Sequence, residues 1–293
     1  MEQNYVIATA STADRTCEYL ESHNIPFIRY SYVIGDDSYE DDCLDSTRDE
    51  VYKKMREGSI LTTAAINTYS YKEFFEGLIK QGKDVLFLDM SWVLSASFRF
   101  CDEAIEELRQ EYPERKIINV DTRCVSGGLG LLVEKVTELY EAGESMQAVL
   151  DWIEANKLKV IHRFTVDDLT WLKRGGRVSN ASALIGTLLS IKPVLYVDND
   201  GALVAVSKQR GRKNALNAIL EGIKHDVKNP DGMIFRINHA DCIEDAEFVK
   251  SKIMEAFPTV KEVSINNLGV VIGAHTGPGL SAVFYMADER TKE

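Results

Sequence analysis

Positive charge is in short supply. The 293 residues hold 34 Lys and Arg against 46 Asp and Glu, a formal balance of −12. The field of such a chain repels phosphate backbones and anionic lipid surfaces. General nucleic-acid binding is therefore not expected, and any anionic ligand must be held by local donors inside a shielded cleft. The five cysteines, Cys17, Cys43, Cys101, Cys124 and Cys242, contain no C-x-x-C pair, so neither a metal centre nor a redox centre is expected, only reduced thiols of a cytoplasmic protein. A phosphate loop of the form G-x-x-x-x-G-K followed by Ser or Thr is missing, which excludes a P-loop nucleotide hydrolase. The opening MEQNYVIATAS has no basic region, so no secretory signal is expected. Residues 263–287 lack Asp, Glu, Lys and Arg, but Asn266, Asn267, His275 and the GPG break at 277–279 would place polar, irregular backbone in hydrocarbon. Buried strands around a special turn are expected there instead.

What is present is a globular composition, 45% hydrophobic and 27% charged. Residues 5–8 read as a strand, with Ser11 or Thr12 available to cap a following helix, and residues 25–33 as a second extended run. Tyr71, Phe74, Phe75, Leu78 and Ile79 have the spacing of an amphipathic helix that stops at Gly82. A strand at 84–88, a helix at 97–110, a strand at 117–120 and a helix at 129–141 continue the alternation of a parallel, helix-covered sheet. The pattern changes near Leu158. A helix capped by Thr165 or Asp167 leads into KRGGR at 173–177, and a nearly uncharged helix is expected at 179–190. Strands at 193–197 and 203–206 flank DNDG, a strong hairpin turn, and Ala215, Leu216, Ile219, Leu220 and Ile223 line a helix face. The expectation is two domains, an α/β domain over 1–165 and an α+β domain with a mixed sheet over 166–293, packed closely enough to enclose a ligand tunnel.

Several segments carry polar groups suited to chemistry. GGLG at 127–130 lacks the full dinucleotide spacing and reads as a tight turn into a helix. The carboxylates Asp36, Asp37, Glu40, Asp41 and Asp42 lack a calcium-loop pattern and read as solvated loop charge. LTTAAIN at 61–67 presents threonine hydroxyls, either as helix caps or toward a ligand. Ser95 follows the strand at 84–88, where it serves either as an N-cap or as an anion donor beside a helix N-terminus. His275 lies in IGAHTGPG, among glycines that permit close backbone approach.

The chain resembles the DegV family of bacterial fatty-acid-binding proteins over nearly its whole length. TASTAD at 9–14 is similar to that family's opening T-D-S-T-A-D, TTAAIN at 62–67 to its T-S-Q element, and LSASF at 94–98 to L-S-G-T-Y. LKRGGRVSNASALIGTLLSIKPVL at 172–195 is the most specific match, followed by KQRGRK at 208–213 and by GAHTGPG at 273–279 for G-x-H-x-G-P-G. The resemblance implies a carrier rather than an enzyme. It implies that a long-chain fatty acid lies in a buried tunnel with its carboxylate on Thr63, Ser95 and His275, and that a separate fatty acid kinase converts it to an acyl phosphate for phospholipid synthesis. Arg174, Arg177 and Arg210 are candidates for phosphate or partner contact, or alternatively for surface ion pairs. No cofactor is implied beyond the fatty acid, and membrane contact is expected to be at most transient. The uncharged stretch 178–191 is a candidate wall for the acyl tail. Ala10, Ala64, Ala65, Trp92, Val93 and Ala96 depart from the family pattern, and the larger side chains beside Ser95 are expected to reshape the pocket. The competing class is a serine esterase or acyltransferase using Ser95 and His275, although Ser95 has no G-x-S-x-G elbow. A carrier of another amphipathic acid is a further alternative.

Overall fold

The computed structural model describes residues 3–167, 169–177 and 191–291. The expected uncharged helix, and all of the candidate tail wall except Ile191, lie outside them. Strand β1 (Tyr5–Ala10) is buried along most of its length and ends in a 3-10 turn, Ser11–Ala13. Helix α1 (Cys17–Ser22) starts only after that turn, capped by Thr16, whose hydroxyl accepts from Tyr19 N. Ser11 and Thr12 therefore cap no α-helix, because the chain must turn once more at Asp14, which has φ 52°. The extended run at 25–33 divides into β2 (Phe27–Ile28) and β3 (Ser31–Ile34), which join different sheets on either side of Tyr30.

Next come β4 (Asp37–Glu40), α2 (Asp45–Arg56), β5 (Leu61–Thr63), α3 (Thr68–Ile79) and β6 (Asp84–Asp89). Asn67 caps α3 by accepting from Ser70 N, and Tyr71, Phe75 and Ile79 form its buried stripe. Helix α4 (Ser97–Glu111) buries Cys101, Ala104, Ile105 and Leu108, an i, i+3, i+4, i+7 set. After β7 (Ile117–Asp121), α5 (Gly127–Glu141) and α6 (Met146–Asn156) complete the first half. Strands β2, β1, β6 and β7 form a wholly parallel sheet in that order, as the alternation predicts. Strands β4, β3 and β5 form a small antiparallel sheet beside it.

The second half opens with β8 (Val160–Thr165), buried at every residue, a pattern that requires both faces of the sheet to be covered. Helix α5 lies against one face of this strand and α8 (Arg212–Asp226) against the other. Between them in sequence, α7 (Thr170–Arg174) has Leu169 at its N-cap position without a side-chain cap, so neither Thr165 nor Asp167 takes that role. The hairpin at DNDG is formed by β9 (Ile191–Val197) and β10 (Leu203–Arg210). Strand β11 (Ile234–His239), α9 (Ile243–Ala256), β12 (Glu262–Asn267), α10 (Val270–Thr276) and β13 (Ser281–Met286) follow. The sheet is mixed, ordered β10-β9-β8-β13-β11-β12, with only β11 and β12 parallel. The uncharged stretch at 263–287 thus contains a helix as well as strands. Apart from His275 and Thr276, α10 is apolar or small, and it is packed by α2, α7, β3 and β5.

The two halves meet through α5, which touches β1 and β6 of the parallel sheet and β8, β11 and β13 of the mixed one. Its opening glycines act by close approach: a Cβ on Gly128 would stand 2.1 Å from His162 Nε2, and one on Gly127 would stand 2.6 Å from Phe284. A second core joins Tyr32, Tyr52 and Leu61 of the first half to Phe164, Leu195 and Val270 of the second. One acidic loop residue also departs from expectation. Asp41 is fully buried, not solvated; it accepts from Cys43 N and faces Arg48, itself fully buried.

Candidate functional site: a cavity between the halves

An apolar cavity lies at this junction, with about 890 Å³ of space between the atoms including its open mouth. Met90 and Leu94 line it from the first half, and Phe164, Leu172, Val197 and Leu203 from the second. Such a lining suits an apolar ligand with a few polar anchors. Thr63, Ser95 and His275 all reach this cavity, although 212 residues separate the first from the last.

Each arrives by a different route. Thr63 ends β5 and pairs with Tyr32 in the small antiparallel sheet, not in the parallel one. Its Oγ1 lies 2.8 Å from His275 Nε2. Ser95 lies in the connection after β6, two residues ahead of α4, and its Oγ accepts from Ser97 N at 3.2 Å. His275 occupies the last turn of α10, which ends at Gly277 with φ 77°. A side chain at Gly277 would be strained by that φ and would collide with Trp171, and a Cβ on Gly175 would stand 2.3 Å from His275 Nδ1. The glycines of both motifs thus let α7 and its following turn close over the histidine.

Burial, and then the nearby Arg177 cation, push the His275 pKa down from 6.5 to about 4. The imidazole is neutral at neutral pH, so it offers a hydrogen bond rather than a charge. Its Nδ1 is buried and has no partner among the described residues. Arg177 also lines the cavity; its Nε donates to Leu94 O at 3.1 Å and Nη1 to Gly175 O. It brings the side chain's positive charge to the same region as the two hydroxyls and the ring. The two other flagged arginines are elsewhere. Arg174 ends α7 with its guanidinium 4.9 Å from the Trp171 ring centroid, and Arg210 ends β10 as an exposed side chain.

The comparisons with known proteins now bear on this geometry. Residues 4–288 match the family model described as "Uncharacterised protein, DegV family". The chain belongs to the DegV family. A DegV domain-containing protein of Clostridium perfringens is 40% identical over 293 residues, covering 99% of both chains. Another from Streptococcus pyogenes is 32% identical over 283 residues, covering 96% of this chain and 97% of its own. Among solved structures, a fatty-acid-binding DegV family protein of Thermus thermophilus matches with TM-score 0.87 and 28% identity, over 97% of this chain and 100% of its own. DegV of Bacillus subtilis, described as a fatty acid binding protein, matches with TM-score 0.85 and 28% identity, over 98% of this chain and 100% of its own.

Within this DegV chain, the departures from the family pattern fall in distinct places. Ala64 and Ala96 line the cavity, and Ala10 is fully buried at the end of β1. Trp92 and Val93 are 55% and 38% exposed and are not among the described lining residues, so the expected reshaping of the pocket does not come from them. The serine and histidine are also not joined as a nucleophile and base: Ser95 Oγ bonds to Tyr30 and Ser97, and the imidazole to Thr63. Tyr30, Ser126 and His162 line the cavity without having been flagged by sequence. Tyr30 and Ser126 have side-chain partners remote in the chain, Ser95 and Asp14, and His162 lies within an ordinary buried strand. Among the described residues there is no cluster able to hold a metal ion, and no helix long and apolar enough to cross a membrane.

Proposed function

We propose that this chain is a carrier that binds a long-chain fatty acid, with the tail in the interdomain cavity and the carboxylate held by Thr63, Ser95 and His275. The observation that carries the reading is the convergence of two hydroxyls and a neutral imidazole on one largely apolar cavity. Hydroxyl protons can bind one carboxylate without a basic patch, which suits a chain of net charge −12. The tail supplies most of the affinity. At about 0.8 kcal/mol per buried methylene, roughly sixteen carbons gain on the order of 10 kcal/mol before ordering costs.

The finer reading is that the carrier works in the cytoplasm and presents its carboxylate to a separate kinase, which forms the acyl phosphate used in phospholipid synthesis. Arg177 is then the arginine best situated to meet the added phosphate, because its side chain already lines the cavity. Arg174 and Arg210 would serve partner contact instead. Mass spectrometry of ligand extracted from denatured protein tests the core reading. A co-purified fatty acid supports it; an empty protein that hydrolyses acyl esters and loses that activity in Ser95→Ala overturns it.

A further inference from the structure

Tyr30 adds a fourth polar side chain to the candidate carboxylate site. It sits where the chain leaves the parallel sheet for the small antiparallel one, and it is 2% exposed. Its backbone is fixed on both sides: Tyr30 N donates to Ser11 Oγ at 3.2 Å, and Tyr30 O accepts from Asp41 N at 2.9 Å. The ring lines the cavity, and its hydroxyl is 3.2 Å from Ser95 Oγ.

A serine hydroxyl has one proton and two lone pairs. One lone pair of Ser95 already accepts from Ser97 N. If Ser95 donated to Tyr30, its remaining lone pair would face an incoming carboxylate and repel it. If Tyr30 donates, both lone pairs are engaged and the Ser95 proton is the one element left for the ligand. Ser97 and Tyr71 also stand beside the Tyr30 hydroxyl, and Ser95 is its partner at 3.2 Å. Burial and the Asp89 carboxylate raise the phenol's pKa, which keeps its proton in place.

We propose that Tyr30 is a positioning residue of the carboxylate site, donating to Ser95 so that the Ser95 proton is committed to the ligand. This rests on the fatty-acid reading above. A donor chain of this kind polarises each hydroxyl in turn, and charge-assisted bonds gain most from it. The groups facing the bound carboxyl group are His275, Arg177 and Thr63, with Asp89 and Tyr71 beside Tyr30. Tyr30→Phe leaves all of them in place.

The test uses the full chain, palmitate labelled with carbon-13 at its carboxyl, and methyl palmitate. Tyr30→Phe is expected to weaken palmitate binding about fivefold and methyl palmitate binding no more than about twofold. By linkage, a fivefold loss confined to the ionised ligand raises the pKa of the bound carboxyl by about 0.7 unit, read from its carbon-13 shift against pH. In the Ser95→Ala background, Tyr30→Phe is expected to change nothing further. Unchanged palmitate affinity and carboxyl pKa overturn the proposal, as does equal weakening of acid and ester or an additive double variant. If Tyr30→Phe does not fold, 3-fluorotyrosine at position 30, a stronger donor, is expected to lower the carboxyl pKa, and no shift overturns the proposal. A wild-type protein that binds no palmitate overturns the fatty-acid reading itself, a result distinct from one in which only the variant behaves unexpectedly.

Discussion

Two histidines line the same cavity and have opposite hydrogen-bond economies. His162 Nε2 accepts from Val125 N at 3.2 Å, and Nδ1 faces Val160 O at 3.2 Å, so the neutral ring with its proton on Nδ1 is satisfied entirely by backbone. Burial and Arg290 hold its pKa well below 6.5. His275 bonds through one nitrogen to a hydroxyl, Thr63, and its other nitrogen has no partner among the described residues. Ser126 and Ser95 repeat the contrast. Ser126 Oγ donates to Asp14, whereas the Ser95 proton has Tyr30 or a ligand as its choices. Polarity in a cavity wall therefore does not by itself mark a binding group; unspent hydrogen-bond capacity does.

The largest expected effect comes from disturbing the satisfied region. Gly128→Ala drives a methyl group into His162 and should cost about 3 kcal/mol, lowering Tm by about 6–12 °C in calorimetry. A Tm within 2 °C of wild type would mean that this wall is softer than its geometry implies. His162→Ala removes two backbone partners and ring packing, so a loss of about 2–3 kcal/mol is expected in denaturant unfolding. His275→Ala should cost less than about 1 kcal/mol of stability yet weaken fatty-acid binding about tenfold. If the two histidine variants lost stability equally, the contrast would fail.

Thr63→Val and Ser95→Ala should each weaken fatty-acid binding by about tenfold in titration calorimetry, with folding stability within about 1 kcal/mol of wild type. Retained affinity in either would remove that residue from the carboxylate site. A further effect is one of pH. His275 protonates near 4 when folded and near 6.5 when unfolded, so between these values the unfolded chain binds more protons. Its contribution is fully present above about 6.5 and is lost as pH falls toward 4. Asp14 and Asp89, raised to about 7 chiefly by burial, give the opposite slope over an overlapping window. The difference between wild type and His275→Gln isolates the histidine: the variant should gain stability relative to wild type as pH falls from 6.5 to 4. A difference that is flat with pH would contradict the depressed pKa.

Much of this architecture was legible in the sequence. The buried stripe of α3, the strands β6 and β7 and the DNDG hairpin follow from periodicity and turn chemistry, because each depends on neighbours within a few residues. Thr63, Ser95 and His275 were named from motifs, and the structure brings all three to one cavity. Helix α10 was missed because it is wrapped by other elements and shows no polar face from which a helical period could be read. Asp41 was misread because the cation facing it, Arg48, is brought to it and enclosed only when α2, which carries Arg48, packs into the fold. Tyr30 gave no signal because its partner is 65 residues away and its own neighbours look like an ordinary strand.

The sequence by itself determined the family, the alternation of strands and helices, and the three polar side chains most worth watching. Only the tertiary structure decided which polar groups are satisfied and which retain capacity for a ligand. The physical reason is that a hydrogen bond is a short-range, directional choice among the donors and acceptors that folding brings near. For His162 those are backbone groups of Val125 and Val160, and for His275 the hydroxyl of Thr63.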